Sequence, residues 1–402
     1  MKYFFILGKT PLLSFIEIKE ILKDSRFEKV SEKVLLTDSL SGFNVKELQK
    51  RLGGTVKIGK VLGKYSIKDL KKDSFRSEII NLLTLDGDRV IFGFSLYGET
   101  KKLKGLIKNI ALKIKKDIKS KNISCRWITS KKSHLSSVIL KKNDLLSRGA
   151  DIVVENYKDK LLLGYTISCQ DFEKYSFYDY SKPKRTIKKG MLPLKLAKIM
   201  INFGLNGKNN FKNLNLIDPF CGSGTILITA LLLGLRNIYG SDKDDQAILN
   251  TKTNLNWVME NRQIKLNKGK ILRSDVRNIS QKMNKKFNLI VTEPFLGPLK
   301  IKDINFQIKK ISQLYIDAFA EFKKIIKNKA RIVMIFPVFK KDNKKHFLPI
   351  LNTLKKMGWQ QDINLANFKG PYKNYLSKRN TLMYYRPGQR VLREILIFSY
   401  NK

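Results

Sequence analysis

The sequence predicts an α/β protein whose second half is an open, doubly wound, mostly parallel sheet and whose first half is built from smaller α+β units. Three observations predict it. From residue 214 onward, strand-like runs alternate with helical patterns; a glycine-bearing turn, DPFCGSGT (218–225), joins the first of those strands to the first helix; and the first half groups short strands around lysine-rich amphipathic helices.

Residues 1–60 read as a small α+β domain: KYFFIL, a helix from SFIEIKEILK, the strand KVLLT, then the helix NVKELQKRLG stopped by Gly53 and Gly54. A second unit, 61–168, centres on KKLKGLIKNIALKIKKDIK. Leu103, Ile107, Ile110, Ile114 and Ile118 recur there at three-and-four spacing and form one apolar stripe in a helix that is otherwise almost solid lysine. The strand-like runs RVIFGFSLYG, CRWITS, DIVVENY and KLLLGYTIS flank it, the last two joined by a turn at 158–160. Residues 169–205 form a connector, polar and aromatic at first, basic through Lys182, Lys184 and Arg185, then helical. The last domain, 206–402, runs LNLID, helix from 224, NIYGSD, helix from 245, GKILRSD, FNLIVTEP, helix from about 306 to 327, ARIVMIFPV. TLMYYR and VLREILIFSY around Pro387-Gly388-Gln389 close it as a hairpin.

A chain of 402 residues, 43% hydrophobic and 28% charged, folds, and its length suits two or three domains. Lys and Arg number 80 against 34 acids, a net charge of +46 that points to a polyanionic partner. A lysine-biased genome explains Lys outnumbering Arg but not the shortage of acids. The densest stretch, Lys101 to Arg148, holds fifteen Lys or Arg against two Asp, a net of +13. Lys101, Lys104, Lys108, Lys115, Lys131, Lys132, Lys141, Lys142 and Arg148, with Lys184 and Arg185 of the connector, are the candidate phosphate contacts. Cys125, Cys169 and Cys221 share no spacing with one another or with His134 and His346, so neither a disulfide scaffold nor a metal site is expected. Lys9 and Pro11 interrupt the opening apolar run, no small-residue cleavage site follows, and no apolar stretch of about 18 residues occurs, so a cytoplasmic protein is expected.

The chemistry concentrates at the ends of the strands in the second half. Gly222 and Gly224 let the turn after the first strand bring backbone close to a ligand. No lysine follows Gly224, which excludes a Walker phosphate loop; Leu227 stands where a dinucleotide fingerprint wants a third glycine. Asp218 before the turn suits a cationic group instead. Asp242, 24 residues on, closes the second strand where acids meet ribose hydroxyls, and Asp275 closes the third where an adenine amine would lie. Phe220, Thr225, Lys243, Val276 and Met191 complete the candidate cofactor pocket. Cys221 reads as a small turn residue, and the absence of a cysteine in the fourth-strand motif excludes a covalent pyrimidine mechanism.

The fourth strand ends in VTEPFLGP (291–298), and here the sequence resembles the amino-group methyltransferases, whose motif at this place is an acid or Asn, two prolines and an aromatic. Aligned on Thr292 and Gly297, Glu293 takes the acid's place, Phe295 that of the second proline and Leu296 that of the aromatic. The resemblance implies Glu293 and the backbone around Pro294 as acceptors for the target amine, and Phe295 as the ring that stacks an extruded base. QDFEKYSFYDYSKPKRTIKKGMLPLKLAKIMIN, YFFILGKTPLLSFIEI and SHLSSVILKKNDLLSRGADIV are similar to segments of the THUMP-containing tRNA guanine N2-methyltransferases. That family implies a ferredoxin-like piece (1–60), a THUMP domain gripping tRNA (61–168), a linker contributing to the cofactor pocket (169–205), and a Rossmann-like class I methyltransferase domain of seven strands with a closing hairpin (206–402). S-adenosylmethionine is then the cofactor, tRNA the partner, and N2 of a guanosine, at a position-10-type site, the target. An rRNA guanine N2-methyltransferase, a DNA adenine N6-methyltransferase and, given the altered fourth motif, a non-catalytic RNA-binding factor are the alternatives.

Overall fold

The structure is a computed structural model, and its described residues are 2–83, 89–98, 101–184, 191–298, 303–342, 344–363, 365, 368–386 and 388–400, with the side chains of Lys101 and Lys102 excepted. They form two compact units, one of Met1–Phe15 with Leu22–Phe172, the other of Ile16–Ile21 with Glu173–Lys402.

In the first unit the described residues build an eight-stranded sheet from β1 (Tyr3–Leu7), β2 (Phe27–Lys29), β3 (Val34–Thr37), β4 (Thr55–Tyr65), β5 (Arg89–Tyr97), β6 (Ser124–Ile128), β7 (Gly149–Tyr157) and β8 (Lys160–Cys169), in the order β2-β3-β1-β4-β8-β7-β5-β6. The boundary expected after residue 60 falls inside β4, which pairs with β1 on one edge and β8 on the other. The two expected N-terminal domains therefore share one sheet. Pairing on both sides removes the exposed edge that β4 would present in a unit ending at residue 60.

The helix Lys101–Lys119 buries the predicted stripe: Leu103, Ile107, Ile110, Ile114 and Ile118 pack against Val90, Phe92, Ile152 and Leu163. Each such side chain contributes about 1.5–3 kcal/mol on burial, which outweighs the helix's dense like charge; Lys104, Lys108, Lys113, Lys116 and Lys119 stay exposed.

Four strands of this sheet also meet in a buried polar knot. Lys57 Nζ (β4) donates to Asp151 Oδ2 (β7) at 2.6 Å and to Ser95 Oγ (β5) at 3.1 Å. Ser95 and Thr166 (β8) in turn donate to Asp151, each at 2.6 Å. Lys57→Met would strand a buried carboxylate, at a cost of about 3–5 kcal/mol. The melting transition of this unit is then expected to fall by roughly 6–20 °C in a calorimetric scan; a fall of under a degree would show the pair to be dispensable.

The second unit's sheet has nine described strands: β9 (Asn215–Asp218), β10 (Asn237–Asp242), β11 (Lys268–Arg273), β12 (Phe287–Thr292), β13 (Ile326–Lys341), β14 (Lys344–Phe347), β15 (Trp359–Gln361), β16 (Leu382–Tyr384) and β17 (Val391–Tyr400). Seven follow the path β11-β10-β9-β12-β13-β17-β15; β14 pairs with β13 and β16 with β17. The first five are parallel and β17 is antiparallel to β13, which is the doubly wound sheet and closing hairpin the sequence predicts. Pro387 in the hairpin turn lies outside the described residues. The helix expected from about 306 to 327 runs Ile304–Ile325, capped by Asp303, which accepts from the amides of Asn305 and Phe306. The connector holds an additional helix, Phe172–Tyr180, before Leu194–Leu205. It buries Tyr175 and Tyr178.

Candidate cofactor and acceptor site

The strand order sets four acids in a row. Reading across β11, β10, β9 and β12, their carboxyl ends carry Asp275, Asp242, Asp218 and Glu293. Ligands of open α/β sheets bind at this edge.

Asp218 is 2% exposed. Its Oδ1 accepts from Phe220 N at 3.2 Å and from Thr292 Oγ1, at the tip of β12, at 2.6 Å, while its second oxygen carries no hydrogen bond among the described residues. Burial pushes the carboxyl up to about 7, and the charges of Asp242 and Glu293 add to the rise. A cationic ligand selects the ionised form. Donor affinity is therefore expected to tighten as pH rises through about 7 and to weaken below it; a flat profile between pH 6 and 8, read by calorimetric titration, would remove Asp218 as the cation's partner.

The turn beyond is shaped by its glycines. Gly222 has φ +54°, and a Cβ there would meet nothing within 4 Å, so the space beside the turn at this residue is open. Gly224 at φ +83° leads into the helix Thr225–Leu233. Asp242 holds the turn: its Oδ2 accepts from Gly222 N at 3.0 Å and its Oδ1 from Asp244 N at 3.1 Å. Thr251 donates to Gly222 O at 2.8 Å. Asn254 Nδ2 donates both to Ser223 O at 2.9 Å and to Lys184 O at 2.8 Å, tying connector to turn. Over the turn sits Lys182, which the sequence placed in the basic connector but not in the site, buried with its Nζ 3.0 Å from Thr225 Oγ1 and 3.3 Å from Ser223 Oγ. Cys221 is buried, its thiol pushed far above the usual range by burial, as fits an inert turn residue.

Asp275 carries a partner of its own. Arg277 grips it with Nε and Nη2 at 3.0 and 2.7 Å, and that pairing holds its carboxyl down to about 2. The side chain of Val276 lies in the hydrophobic core, and its backbone belongs to the short helix that Asp275 caps. Lys243 is exposed, Phe220 packs partly against the same core, and Met191 is half-buried just before the helix Leu194–Leu205.

On the acceptor side, Glu293 follows β12 directly. Arg393 of β17 donates from Nε to Glu293 Oε1 at 2.5 Å, the side chains being 5% and 15% exposed. Burial pushes the Glu293 carboxyl up and Arg393 opposes it. Oε2 has no hydrogen bond among the described residues. Pro294 is buried, whereas the ring of Phe295 is 52% exposed and its carbonyl accepts from Tyr315 Oη at 3.2 Å. The sequence did hold a signal for Arg393: a charged pair, Arg393-Glu394, interrupts an otherwise apolar strand.

In the first unit Lys104, Lys108, Lys131, Lys132, Lys141, Lys142 and Arg148 are exposed or nearly so and Lys115 is half-buried. Lys141 pairs with Asp171 at 2.9 Å and Arg148 with Asp144 at 3.7 Å, exposed contacts that contribute little. Lys184 is exposed; Arg185 and the side chain of Lys101 lie outside the described residues.

Residues 185–347, which carry the acids and both glycine-bearing turns, match the UPF0020 family described as RMKL-like, methyltransferase domain. Over its whole length the chain has the fold of TrmN from Thermus thermophilus, with a TM-score of 0.56, 12% identity and full coverage of both chains. The chain is 48% identical over 56 residues to the ribosomal protein L11 methyltransferase of Acinetobacter baumannii, 13% of this chain and 19% of that one. It is 33% identical over 109 residues to the tRNA (guanine(10)-N2)-dimethyltransferase of Methanothermobacter thermautotrophicus, 27% of this chain and 28% of that one. The matched stretches thus span less than a third of either relative. No described helix is long and apolar enough to cross a membrane. The donor of an RMKL-like methyltransferase domain is S-adenosylmethionine, and the residues fit it: a buried carboxylate with an oxygen to spare, an open glycine cradle and a second carboxylate bracing it.

Proposed function

We propose that the chain transfers a methyl group from S-adenosylmethionine to the exocyclic N2 amine of a guanosine in tRNA, at a position-10-type site. The observation that carries this reading is Glu293: a carboxylate fixed by Arg393 through one oxygen, with the other open, beside the exposed ring of Phe295. An extruded guanine stacked on Phe295 would direct an N2 proton to Glu293 Oε2, leaving the nitrogen lone pair aimed at the donor. When bound, the cofactor supplies a methyl made electrophilic by its sulfonium. Glu293 would take the proton that the amine gives up on transfer. Asp218 receives the donor's ammonium, Asp242 its ribose hydroxyls, and Asp275 its adenine amine through whatever acceptor capacity Arg277 leaves.

The activity for which the Methanothermobacter relative is named supports tRNA as substrate. The basic face of the helix Lys101–Lys119 and of the segments after it supports an RNA grip of the THUMP type in the first unit. The local likeness to L11 methyltransferases favours a second reading, in which the amine belongs to a ribosomal protein. Purified protein incubated with labelled S-adenosylmethionine and, separately, tRNA, rRNA, ribosomal protein or DNA tests both. N2-methylguanosine in digested tRNA is the expected product; label confined to protein moves the function to the second reading, and tight tRNA binding with label nowhere marks a non-catalytic RNA-binding factor.

A further inference from the structure

Strand β13 is longer than its place in the sheet needs. Its last residues, Val338–Lys341, turn back through Asp342, at φ 49°, into β14, and the register pairs Phe339 with His346, Lys340 with Lys345 and Lys341 with Lys344. Two lysine pairs thus face each other directly across an antiparallel hairpin, where Cβ atoms stand about 4.5–5.5 Å apart and like charges repel. All four lysines are exposed, and none makes a side-chain hydrogen bond or ion pair among the described residues, Asp342 included. Arg390, also exposed, accepts through its carbonyl from Lys340 N at 3.0 Å and adds a fifth cation at the same place. A hairpin tip is free to choose its cross-strand partners, and this one places like charges in register twice. Such an arrangement is unfavourable alone and becomes favourable when a polyanion neutralises it.

The root of this hairpin touches the acceptor turn. A Cβ on Gly297, which closes the turn that begins at Glu293, would lie 3.1 Å from the ring of Phe339. From Phe339 to the lysine tip is about 7 Å of strand, at roughly 3.3 Å per residue.

We infer that the β13–β14 hairpin is a second nucleic-acid contact, whose lysines grip the RNA phosphates flanking the nucleotide presented to Glu293. The inference rests on the reading that the substrate is RNA. A base drawn out of its stack needs its backbone held beside the site, and phosphate contacts of this type position the strand without reading sequence. The grip at the hairpin acts on the target nucleotide's own neighbourhood, whereas the basic face of the first unit would hold the body of the RNA.

The test uses the full chain carrying K340Q, K341Q, K344Q and K345Q together, and a control in which Lys252, Lys265, Lys268 and Lys270, exposed on the same unit, become Gln. The hairpin variant should melt no lower than wild type, since repulsion is removed, and should bind S-adenosylhomocysteine unchanged. Its slope of log Kd for tRNA against log salt should fall by about 0.7–0.9 for each phosphate that the protein ceases to neutralise, and KM for tRNA should rise about tenfold or more with kcat nearly kept. The control should show a smaller change in both. Hairpin and wild-type proteins with the same slope and KM overturn the inference, as does a control as impaired as the hairpin variant. A wild-type protein that binds no RNA at any salt overturns the underlying reading as well, which separates the two failures.

Discussion

Glu293→Gln is expected to lower kcat by about 10²–10⁴ while leaving the affinity for S-adenosylhomocysteine within about twofold. Gln preserves the shape that Arg393 packs against, so the variant tests chemistry and not folding. Alanine would instead remove the carboxylate from a guanidinium that is 5% exposed, and breaking a buried pair by deleting one member costs about 3–5 kcal/mol. Retained turnover in Glu293→Gln would remove the residue from the catalytic role. Arg393 supplies an independent check. It opposes the rise that burial imposes on the Glu293 carboxyl, so in Arg393→Met the folded-state pKa climbs further and the ionised form appears only at higher pH. The acid limb of the pH–rate profile should therefore move upward, an effect that a merely structural arginine would not produce.

Asp242→Ala is expected to weaken donor binding by roughly 10²-fold, because the residue acts twice. Its Oδ2 holds Gly222 N at 3.0 Å and so keeps the glycine turn in place, and the same carboxylate is the proposed ribose anchor. Two charge-assisted hydrogen bonds at about 1.5–3 kcal/mol each account for at least that factor, at 1.4 kcal/mol per tenfold. RNA affinity should not change. Titration with S-adenosylhomocysteine and with tRNA separates the two, and an unaltered donor Kd would show that the ribose lies elsewhere.

The parallel sheet was legible because alternating strand and helix patterns carry their own periodicities, and the acids were legible because each stands directly at the end of a readable strand. The connector helix Phe172–Tyr180, which buries Tyr175 and Tyr178, was not, since no apolar stripe marks it in sequence. Nor was the single sheet running through residue 60. Local pattern shows where β4 lies but not that it has partners on both edges.

Composition, the apolar stripe of the helix Lys101–Lys119, the glycine turn and the strand-end acids are properties of neighbouring residues, and the chain alone determined them. Which acids become neighbours, the bond from Arg393 to Glu293, and the burial that lifts Asp218 toward neutrality were decided only by tertiary structure. The physical reason is that each depends on sheet order and exclusion of water: Glu293 and Arg393 are 100 residues apart, and nothing short of the folded sheet brings them within a hydrogen bond.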